Sequence, residues 1–252
     1  MKIVRVHAKS ENETFYGVLE GQTVKRLSGT PFDGLRFTTE EYAADGVVLE
    51  APCEPTKIVA VGKNYRAHAD EMGEGFPAEP LLFLKPSTSV IACGENIIYP
   101  EISHRLDYEG ELAVVIGKRA HNVKAGESGK YIFGYTCLND VTARDIQKSD
   151  PQWTRGKSFD TFCPIGPHIE TEFDPDTAEI TTLLNGEIVQ HSPVSAMMHG
   201  IDKLVCFITQ CMTLLPGDII ATGTPAGIGS MQRGDTVEVH ISGLGTLHNT
   251  VR

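Results

Sequence analysis

The segment from Asp107 to Gly117 constrains the fold more than any other part of the chain. Its sequence, Asp-Tyr-Glu-Gly-Glu-Leu-Ala-Val-Val-Ile-Gly, places acidic residues at every second position and then becomes wholly apolar. Because side chains alternate between the two faces of a strand, we expect Glu109 and Glu111 on one face, roughly 7 Å apart along the backbone. The apolar run that follows predicts a strand entering a core. Two carboxylates at that boundary repel each other unless water or a cation separates them.

The length and composition are typical of a globular protein. A chain of 252 residues is long enough for one large domain, or for a main domain with a small appendage. The formal net charge of −11 disfavours nucleic acid or an anionic membrane as the main partner, because phosphate binding requires clustered cations. It leaves an anionic substrate possible, since one metal ion and a few Lys or Arg residues can reverse the potential inside a pocket.

The cysteines and the apolar segments indicate a cytoplasmic protein without a membrane span. The N-terminal sequence Met-Lys-Ile-Val-Arg-Val begins like a strand and has no apolar signal core. The most apolar helical stretch, around residues 204–215, is too short to cross a bilayer. The six cysteines are scattered without a Cys-x-x-Cys pair, which favours reduced core thiols over disulfides or a zinc site: Cys53, Cys93, Cys137, Cys163, Cys206 and Cys211.

Strand patterns outnumber helical ones along the chain. Residues 1–52 are predicted to form a small β-rich unit, and the linker around Pro52 and Pro55 separates it from a main domain over residues 53–252. We expect helices at about 64–72, 140–148 and 195–214, and a mobile loop over the Gly- and Pro-rich residues 73–80. Because the helices do not alternate regularly with the strands, the predicted class is α+β, predominantly β. The main-domain strands are predicted at about 57–62, 81–85, 90–92, 111–117, 132–138, 165–170, 179–184, 187–189, 218–221, 236–241 and 246–251.

The acidic pair has two interpretations. Glu109 and Glu111 can lie on the solvent face of an amphipathic strand, where most acidic side chains are found. Alternatively they bind a hard cation, since oxygen-only ligands favour Mg²⁺, Mn²⁺ or Ca²⁺ over zinc. Asp140 is the best candidate for a third ligand, because it follows a strand pattern and precedes a helical one. Its alternative role is the N-cap of that helix.

A second candidate group is the pair of His68 and Glu71. Positions three apart share one face of a helix, so Glu71 can hydrogen-bond one imidazole nitrogen and leave the other as a base that activates water. The alternative is an exposed ion pair on a charged helix.

Two further segments carry residues suited to a binding site. Lys157 lies among Gly, small and aromatic residues and can hold an anionic carboxylate or a developing enolate, or it can be an ordinary solvated loop lysine. The segment from Thr222 to Gly229 is rich in glycine, so its backbone amides and the Thr224 hydroxyl can approach a ligand closely. It lacks the lysine of a phosphate-binding loop.

Together and in this order, these motifs resemble the fumarylacetoacetate hydrolase family over roughly residues 57–251. The resemblance implies a mixed β-roll core in a homodimer, with one Mg²⁺ or Mn²⁺ per subunit held by Glu109, Glu111 and Asp140. It implies that Arg144, Gln147, Lys157 and Thr224 line the substrate site, and that the His68–Glu71 helix with residues 73–80 is similar to the family's lid. The matching motifs are Gly62 to Tyr65 with His68 and Glu71, Asp107 to Leu112, Asn139 to Asp145, Gly156 to Asp160, and Thr222 to Pro225.

The resemblance also implies a reaction class. A 2-oxo acid chelates the cation, and the reaction proceeds through a metal-bound enolate with Lys157 nearby. With His68 and Glu71 as a water-activating pair, we expect hydrolysis of the carbon–carbon bond in acylpyruvate-type 1,3-diketo acids. Isomerisation or decarboxylation of 2-hydroxy-diene or 2-oxo-dicarboxylic acids from aromatic catabolism is the alternative. A third hypothesis is a metal-binding protein that catalyses no reaction. It is disfavoured because His68, Glu71 and Lys157 would then have no role.

Overall fold

The computed structural model describes residues 1–71, 73, 75 and 77–252. The predicted mobile loop over residues 73–80 includes Glu74 and Phe76, which lie outside the described residues, as does Met72 of the predicted first helix. The helices in the described part are α1 (Arg66–Glu71), α2 (Arg144–Ser149), α3 (Thr154–Lys157) and α4 (Ile201–Cys211). The strands there are β1 (Lys2–Ala8), β2 (Glu13–Glu20), β3 (Thr23–Leu27), β4 (Phe37–Ala43), β5 (Val47–Leu49), β6 (Ile58–Gly62), β7 (Leu81–Lys85), β8 (Val90–Ile91), β9 (Asn96–Ile97), β10 (Leu106–Tyr108), β11 (Gly110–Ile116), β12 (Ile132–Asn139), β13 (Thr142–Ala143), β14 (Cys163–Glu170), β15 (Glu179–Leu184), β16 (Glu187–Pro193), β17 (Ile219–Ala221), β18 (Gly229–Met231), β19 (Thr236–Ile241) and β20 (Gly245–Val251).

The strands form one large mixed sheet and two smaller sheets. The large sheet has the order β4-β3-β2-β1-β14-β12-β11-β17-β6-β7, with β5 paired to β1 and β8 to β14. The smaller sheets have the orders β16-β15-β19-β20-β9 and β13-β10-β18. The predicted class, predominantly β with few helices, is confirmed.

The N-terminal strands continue the large sheet. β1 pairs antiparallel with β14, where Lys2 lies opposite Glu170 and Ile3 opposite Ile169. The sheet therefore runs across the predicted boundary near residue 52, and the division of the chain at that point stays a prediction.

The strand β11 is buried on both of its faces, which explains its continuous apolar sequence. Ala113 and Val115 pack into one core cluster, whereas Val114 and Ile116 pack into another that includes Ile208 of α4. A strand covered on both sides does not alternate between apolar and polar residues. The predicted hairpin at Asn185-Gly186 joins β15 and β16, and both residues have the positive φ that a type I′ turn requires.

The three predicted helices are shorter than expected. The prediction over 195–214 is wrong at both ends, because Met197 forms a β-bridge with Tyr65 and Leu214 forms one with Ala120. The helix predicted to begin near Asp140 begins at Arg144, after the short strand β13. In each case pairing with a distant segment keeps the flanking residues extended.

The structure also shows the state of the cysteines and the length of the helices. All six cysteines of the sequence are free thiols. Within residues 1–71, 73, 75 and 77–252, no helix has the length and apolar composition needed to cross a membrane.

Candidate active site

The pairing of β11 with β12 brings three carboxylates together. Glu109 lies at the break between β10 and β11, and the next residue, Gly110, pairs with Asn139 of β12. The backbone N–H of Asp140 donates to the Glu109 carbonyl oxygen at 2.8 Å. As a result, Glu109, Glu111 and Asp140 each offer an oxygen atom, and these atoms lie within 4.8 Å of one another.

Glycine between the two glutamates is required by packing. A Cβ atom on Gly110 would lie 2.1 Å from the Thr182 hydroxyl oxygen, which is far inside van der Waals contact. The Gly110 N–H donates to the Gln190 side-chain oxygen at 3.0 Å. The close approach of β15 and β16 therefore fixes the backbone that carries Glu109 and Glu111.

The three carboxylates are buried. Glu109, Glu111 and Asp140 are 4%, 2% and 1% exposed, so the interpretation of the glutamates as a solvent-facing strand surface is wrong. The N-cap interpretation of Asp140 is also wrong. Its carboxylate accepts hydrogen bonds from two lysines, and the nearest helix starts four residues later.

Two buried lysines neutralise part of this negative charge. The Lys157 ammonium donates to Glu109 Oε2 at 2.8 Å and to Asp140 Oδ2 at 2.5 Å, so Lys157 is not a solvated loop residue. Lys85 is fully buried and donates to Asp140 Oδ1 and to the Lys157 carbonyl oxygen, both at 2.5 Å. Lys85 is not among the site residues predicted from the sequence. The sequence feature that could have indicated it is a single lysine at the end of the apolar strand Leu-Leu-Phe-Leu-Lys.

The guanidinium group of Arg144 donates hydrogen bonds to three side chains of the protein. Nε donates to Asp107 Oδ2 at 2.8 Å, one terminal nitrogen donates to the Gln147 side-chain oxygen at 2.6 Å, and the other donates to Glu109. Although burial lowers the pKa of Arg144, the carboxylates of Glu109 and Asp107 raise it above its usual value. The guanidinium thus stays charged beside the acidic cluster.

The charge balance differs between the two glutamates. Burial raises the pKa of Glu109, but Lys157 and Arg144 outweigh this effect and hold it well below its usual value. Burial, Asp140 and Glu109 all raise the pKa of Glu111. Among the described residues no lysine or arginine forms an ion pair with Glu111, which accepts a hydrogen bond from the Gly223 N–H at 2.8 Å.

This donor set fits a divalent cation. The three side chains supply only carboxylate oxygens, the ligands that Mg²⁺ and Mn²⁺ prefer. A cation bound to them would also neutralise the Glu111 carboxylate, which has no cationic partner in the described structure. The cluster is therefore a possible metal site, and its geometry does not distinguish one hard cation from another.

His68 and Glu71 lie on one face of α1 as predicted. His68 is 6% exposed, and its Nδ1 is 3.5 Å from Glu71 Oε2, at the outer limit of hydrogen bonding. Both oxygens of Glu71 accept from the Gly227 N–H, at 3.1 and 3.2 Å. Gly227 has a φ of +101°, and a Cβ there would lie 2.1 Å from the Val189 carbonyl oxygen, so only glycine fits.

One cavity of about 240 Å³ joins these groups. Eight of the nine predicted site residues line it, and the ninth, Glu71, contacts His68 beside it. The predicted roles of these residues stay predictions. The lining consists of Val61, Gly62, Lys63, His68, Phe83, Glu109, Glu111, Asp140, Arg144, Gln147, Lys148, Asp150, Trp153, Lys157 and Thr224.

The hydroxyl of Thr224 already has partners in the protein. It donates to the Gly110 carbonyl oxygen at 2.8 Å and accepts from the Gln190 amide at 2.9 Å. Its hydrogen bonds therefore secure the Gly110 backbone, and only a remaining lone pair of the oxygen can meet a substrate. The site predicted from the sequence does not include Gln190, whose side chain forms hydrogen bonds with both Thr224 and Gly110.

Comparison with known proteins identifies the family. Residues 57–252 match the family described as "Fumarylacetoacetate (FAA) hydrolase C-terminal". The chain belongs to the fumarylacetoacetate hydrolase family. Residues 1–52 match a second family, described as "Rv2993c-like, N-terminal".

The relatives of this chain include proteins named as a tautomerase and as an isomerase. Protein Rv2993c of Mycobacterium tuberculosis is 47% identical over 91% of this chain and 88% of its own length. The oxaloacetate tautomerase YisK of Bacillus subtilis is 41% identical over 83% of this chain and 75% of its own. The crystal structure of a 5-carboxymethyl-2-hydroxymuconate delta-isomerase from Mycobacterium smegmatis is 41% identical, with a TM-score of 0.94, and the match covers 100% of this chain and 99% of that one.

Proposed function

We propose that this protein is a divalent-metal-dependent enzyme that removes a proton from a 2-oxo acid to form its enolate or enol and then reprotonates that species, as a tautomerase or isomerase does. The observation that carries the proposal is the single cavity lined by Glu109, Glu111, Asp140, Lys157 and His68. The names of the tautomerase and isomerase relatives, each 41% identical, support proton transfer as the catalysed step.

Glu109, Glu111 and Asp140 would hold Mg²⁺ or Mn²⁺. When bound, the cation supplies electron withdrawal from a 2-oxo carboxylate, which makes the C3 proton of the substrate more acidic. Lys157 would add a positive charge near the enolate oxygen, because its ammonium lies beside two of the proposed metal ligands. It is 2.8 Å from Glu109 and 2.5 Å from Asp140. These two contributions place the developing negative charge at the buried end of the cavity.

His68 is the proposed base of the reaction. It lines the cavity, and Glu71 contacts its Nδ1, so the other ring nitrogen can take the C3 proton and return it. Arg144 engages the Gln147 side-chain oxygen, which leaves the amide N–H groups of Gln147 to bind a substrate carboxylate. A cavity of about 240 Å³ has room for a four-carbon 2-oxo dicarboxylic acid of about nine non-hydrogen atoms.

A second candidate function is hydrolysis of acylpyruvate-type compounds. The observation that favours it is the His68–Glu71 contact, because this pair can also take a proton from water. The water would attack the distal carbonyl group, and cleavage of the bond between that carbonyl carbon and C3 would release a carboxylic acid and the enolate of pyruvate. Decarboxylation of a 2-oxo dicarboxylic acid would form that enolate by loss of CO₂, without water attack.

Parallel assays would separate these outcomes. The purified protein would be given the oxaloacetate enol, acetylpyruvate or a 2-hydroxy-diene dioate, with Mg²⁺ or Mn²⁺ and with EDTA. Enol loss, pyruvate release and diene absorbance would be followed separately. We expect metal-dependent interconversion of the keto and enol forms, and Glu111→Gln as an uncharged variant of the same shape should lack it. The proposal fails if the metal-loaded protein neither interconverts the oxaloacetate forms nor isomerises the diene, or if Glu111→Gln is as active as the unmodified protein. Pyruvate release from acetylpyruvate without either reaction would favour hydrolysis instead.

We also propose that the chain forms a homodimer, as the family resemblance implies. Light scattering coupled to size-exclusion chromatography should give twice the monomer mass. The monomer mass at micromolar concentration would contradict this.

A further inference from the structure

The only tryptophan of the sequence, Trp153, lines the same cavity as the carboxylate cluster. It immediately precedes α3, and its carbonyl oxygen accepts a hydrogen bond from the Lys157 backbone N–H at 3.1 Å. The indole and the Lys157 ammonium therefore belong to a single helical turn. The proposed function uses Lys157 and leaves Trp153 without a role.

Trp153 forms the outer part of an aromatic wall. Its ring packs edge-to-face against Phe83, with centroids 5.3 Å apart and an interplanar angle of 78°. The Phe83 ring in turn lies 5.2 Å from the Lys157 Nζ atom. The wall thus runs from Lys157 beside the carboxylates, through Phe83, to Trp153.

The indole is held in place by tight packing. A Cβ atom on Gly62 would lie 2.6 and 2.9 Å from two indole carbons, so the ring lies directly on the backbone at the end of β6. The turn that carries Trp153 is fixed as well, because a Cβ on Gly156 would lie 2.8 Å from the Gln147 backbone nitrogen. The Lys63 ammonium lies 5.9 Å from the indole centroid. Such a ring is a rigid boundary of the cavity.

We propose that Trp153 is a specificity-determining residue that closes the cavity on the side away from the carboxylates and limits the chain length of the substrate. The inference rests on the proposed function, because it assumes that the 2-oxo acid group binds beside Glu109, Glu111 and Asp140. Acids with a short chain beyond the 2-oxo group fit between the carboxylates and the indole. Longer chains would meet the indole ring, which packs on the Gly62 backbone and against Phe83.

A chain-length series of ligands tests this inference by binding alone. Dissociation constants for pyruvate, 2-oxobutanoate, 2-oxopentanoate and 2-oxohexanoate would be measured by calorimetry in Mg²⁺. The proteins would be the unmodified chain, Trp153→Ala, Trp153→Phe and the control Phe37→Ala. Phe37 is an aromatic residue of β4 that is 51% exposed and does not line the cavity. Emission from Trp153 should change when a 2-oxo acid binds to the unmodified protein.

We expect the Kd ratio of 2-oxohexanoate to pyruvate to fall at least about tenfold in Trp153→Ala, because one methylene group can discriminate by about 10-fold or more in a closed pocket. Trp153→Phe should give an intermediate ratio, and Phe37→Ala should match the unmodified protein. If Trp153→Ala does not fold, as judged by circular dichroism, Trp153→Leu carries the comparison. An unchanged ratio in protein that binds pyruvate overturns the inference and leaves the proposed function standing. Absence of binding by every 2-oxo acid overturns both.

Discussion

Removal of the buried Lys85 ammonium should destabilise the protein through Asp140. Lys85 is fully buried, and its ammonium donates to Asp140 Oδ1 and to the Lys157 carbonyl oxygen, with the Val141 carbonyl oxygen at 3.4 Å. Lys85→Met keeps the approximate length of the side chain and removes all three donors. The Asp140 carboxylate would then keep Lys157 as its remaining ammonium partner.

The expected magnitude follows from the loss of one partner in a buried ion pair. Breaking such a pair costs about 3–5 kcal/mol, and the lower end applies because Lys157 still contacts Asp140. A domain stability of about 5–15 kcal/mol leaves the variant folded. With a urea dependence of about 3 kcal/mol per molar, the unfolding midpoint should fall by about 1 M.

Urea denaturation in EDTA measures this effect without a bound cation. Circular dichroism and Trp153 emission would follow unfolding. Lys130→Met is the matched control, because Lys130 forms an exposed pair with Glu127 and its loss should leave the midpoint unchanged. In the double variant Lys85→Met/Asp140→Asn, the destabilisation should be at least about 1 kcal/mol smaller than the sum of the two single effects. The reasoning is refuted if Lys85→Met unfolds at the midpoint of Lys130→Met, or if the two effects simply add.

Three further predictions concern catalysis, metal binding and pH. His68→Ala should lower turnover by about 10²–10⁴-fold while calorimetry still detects Mg²⁺ binding; loss of the metal would mean that His68 is a ligand. Glu111→Gln should weaken Mg²⁺ binding by at least about 10–100-fold, the loss that removal of even an indirect partner of a ligand causes, and full affinity would exclude Glu111 as a ligand. Burial and Lys2 lower the pKa of His168 to about 4. As the pH falls, this histidine is therefore protonated in the unfolded chain, where its pKa is near 6.5, before it is protonated in the folded protein. Stability should therefore fall between pH 6.5 and 4, with His168 contributing on the order of 2–3 kcal/mol, and in urea titrations at each pH His168→Gln should show a fall that is smaller by about this amount.

The acidic part of the site could be predicted because its signal is local. Glu109 and Glu111 lie two residues apart beside an apolar strand, so their proximity follows from strand geometry. Asp140 could be named from its place at the end of a strand pattern, but its lysine partners could not. Lys85 reaches it from a strand 55 positions away in sequence, and no spacing rule connects the two.

The same distinction applies to the fold. Long strands such as β11 and the hairpin at Asn185-Gly186 carry their own periodicity or turn chemistry, and they lie where the sequence predicts them. Strands β10, β13 and β18 are two or three residues long and exist through pairing with one another. The ends of α4 are likewise set by bridges to distant residues. Such contacts leave no pattern in the segment itself.

The way in which β1 joins the sheet has a consequence for folding during synthesis. Its partner β14 begins roughly 160 residues later in the chain. At about 5–20 residues per second, the ribosome completes β14 about 10–30 s after β1. Through that interval the edge of β1 that β14 will cover has no partner from the rest of the sheet, and such edges promote aggregation.

The N-terminal segment itself limits this exposure. β2 covers one edge of β1, and β5 pairs with Val6, His7 and Ala8 on the other, so β14 takes only the positions of Lys2 and Ile3. Once residues 1–49 have been synthesised, β2 can therefore pair with β1 along one whole edge and β5 can pair with three residues of the other edge. Only the short stretch at Lys2 and Ile3 then depends on β14 for a sheet partner.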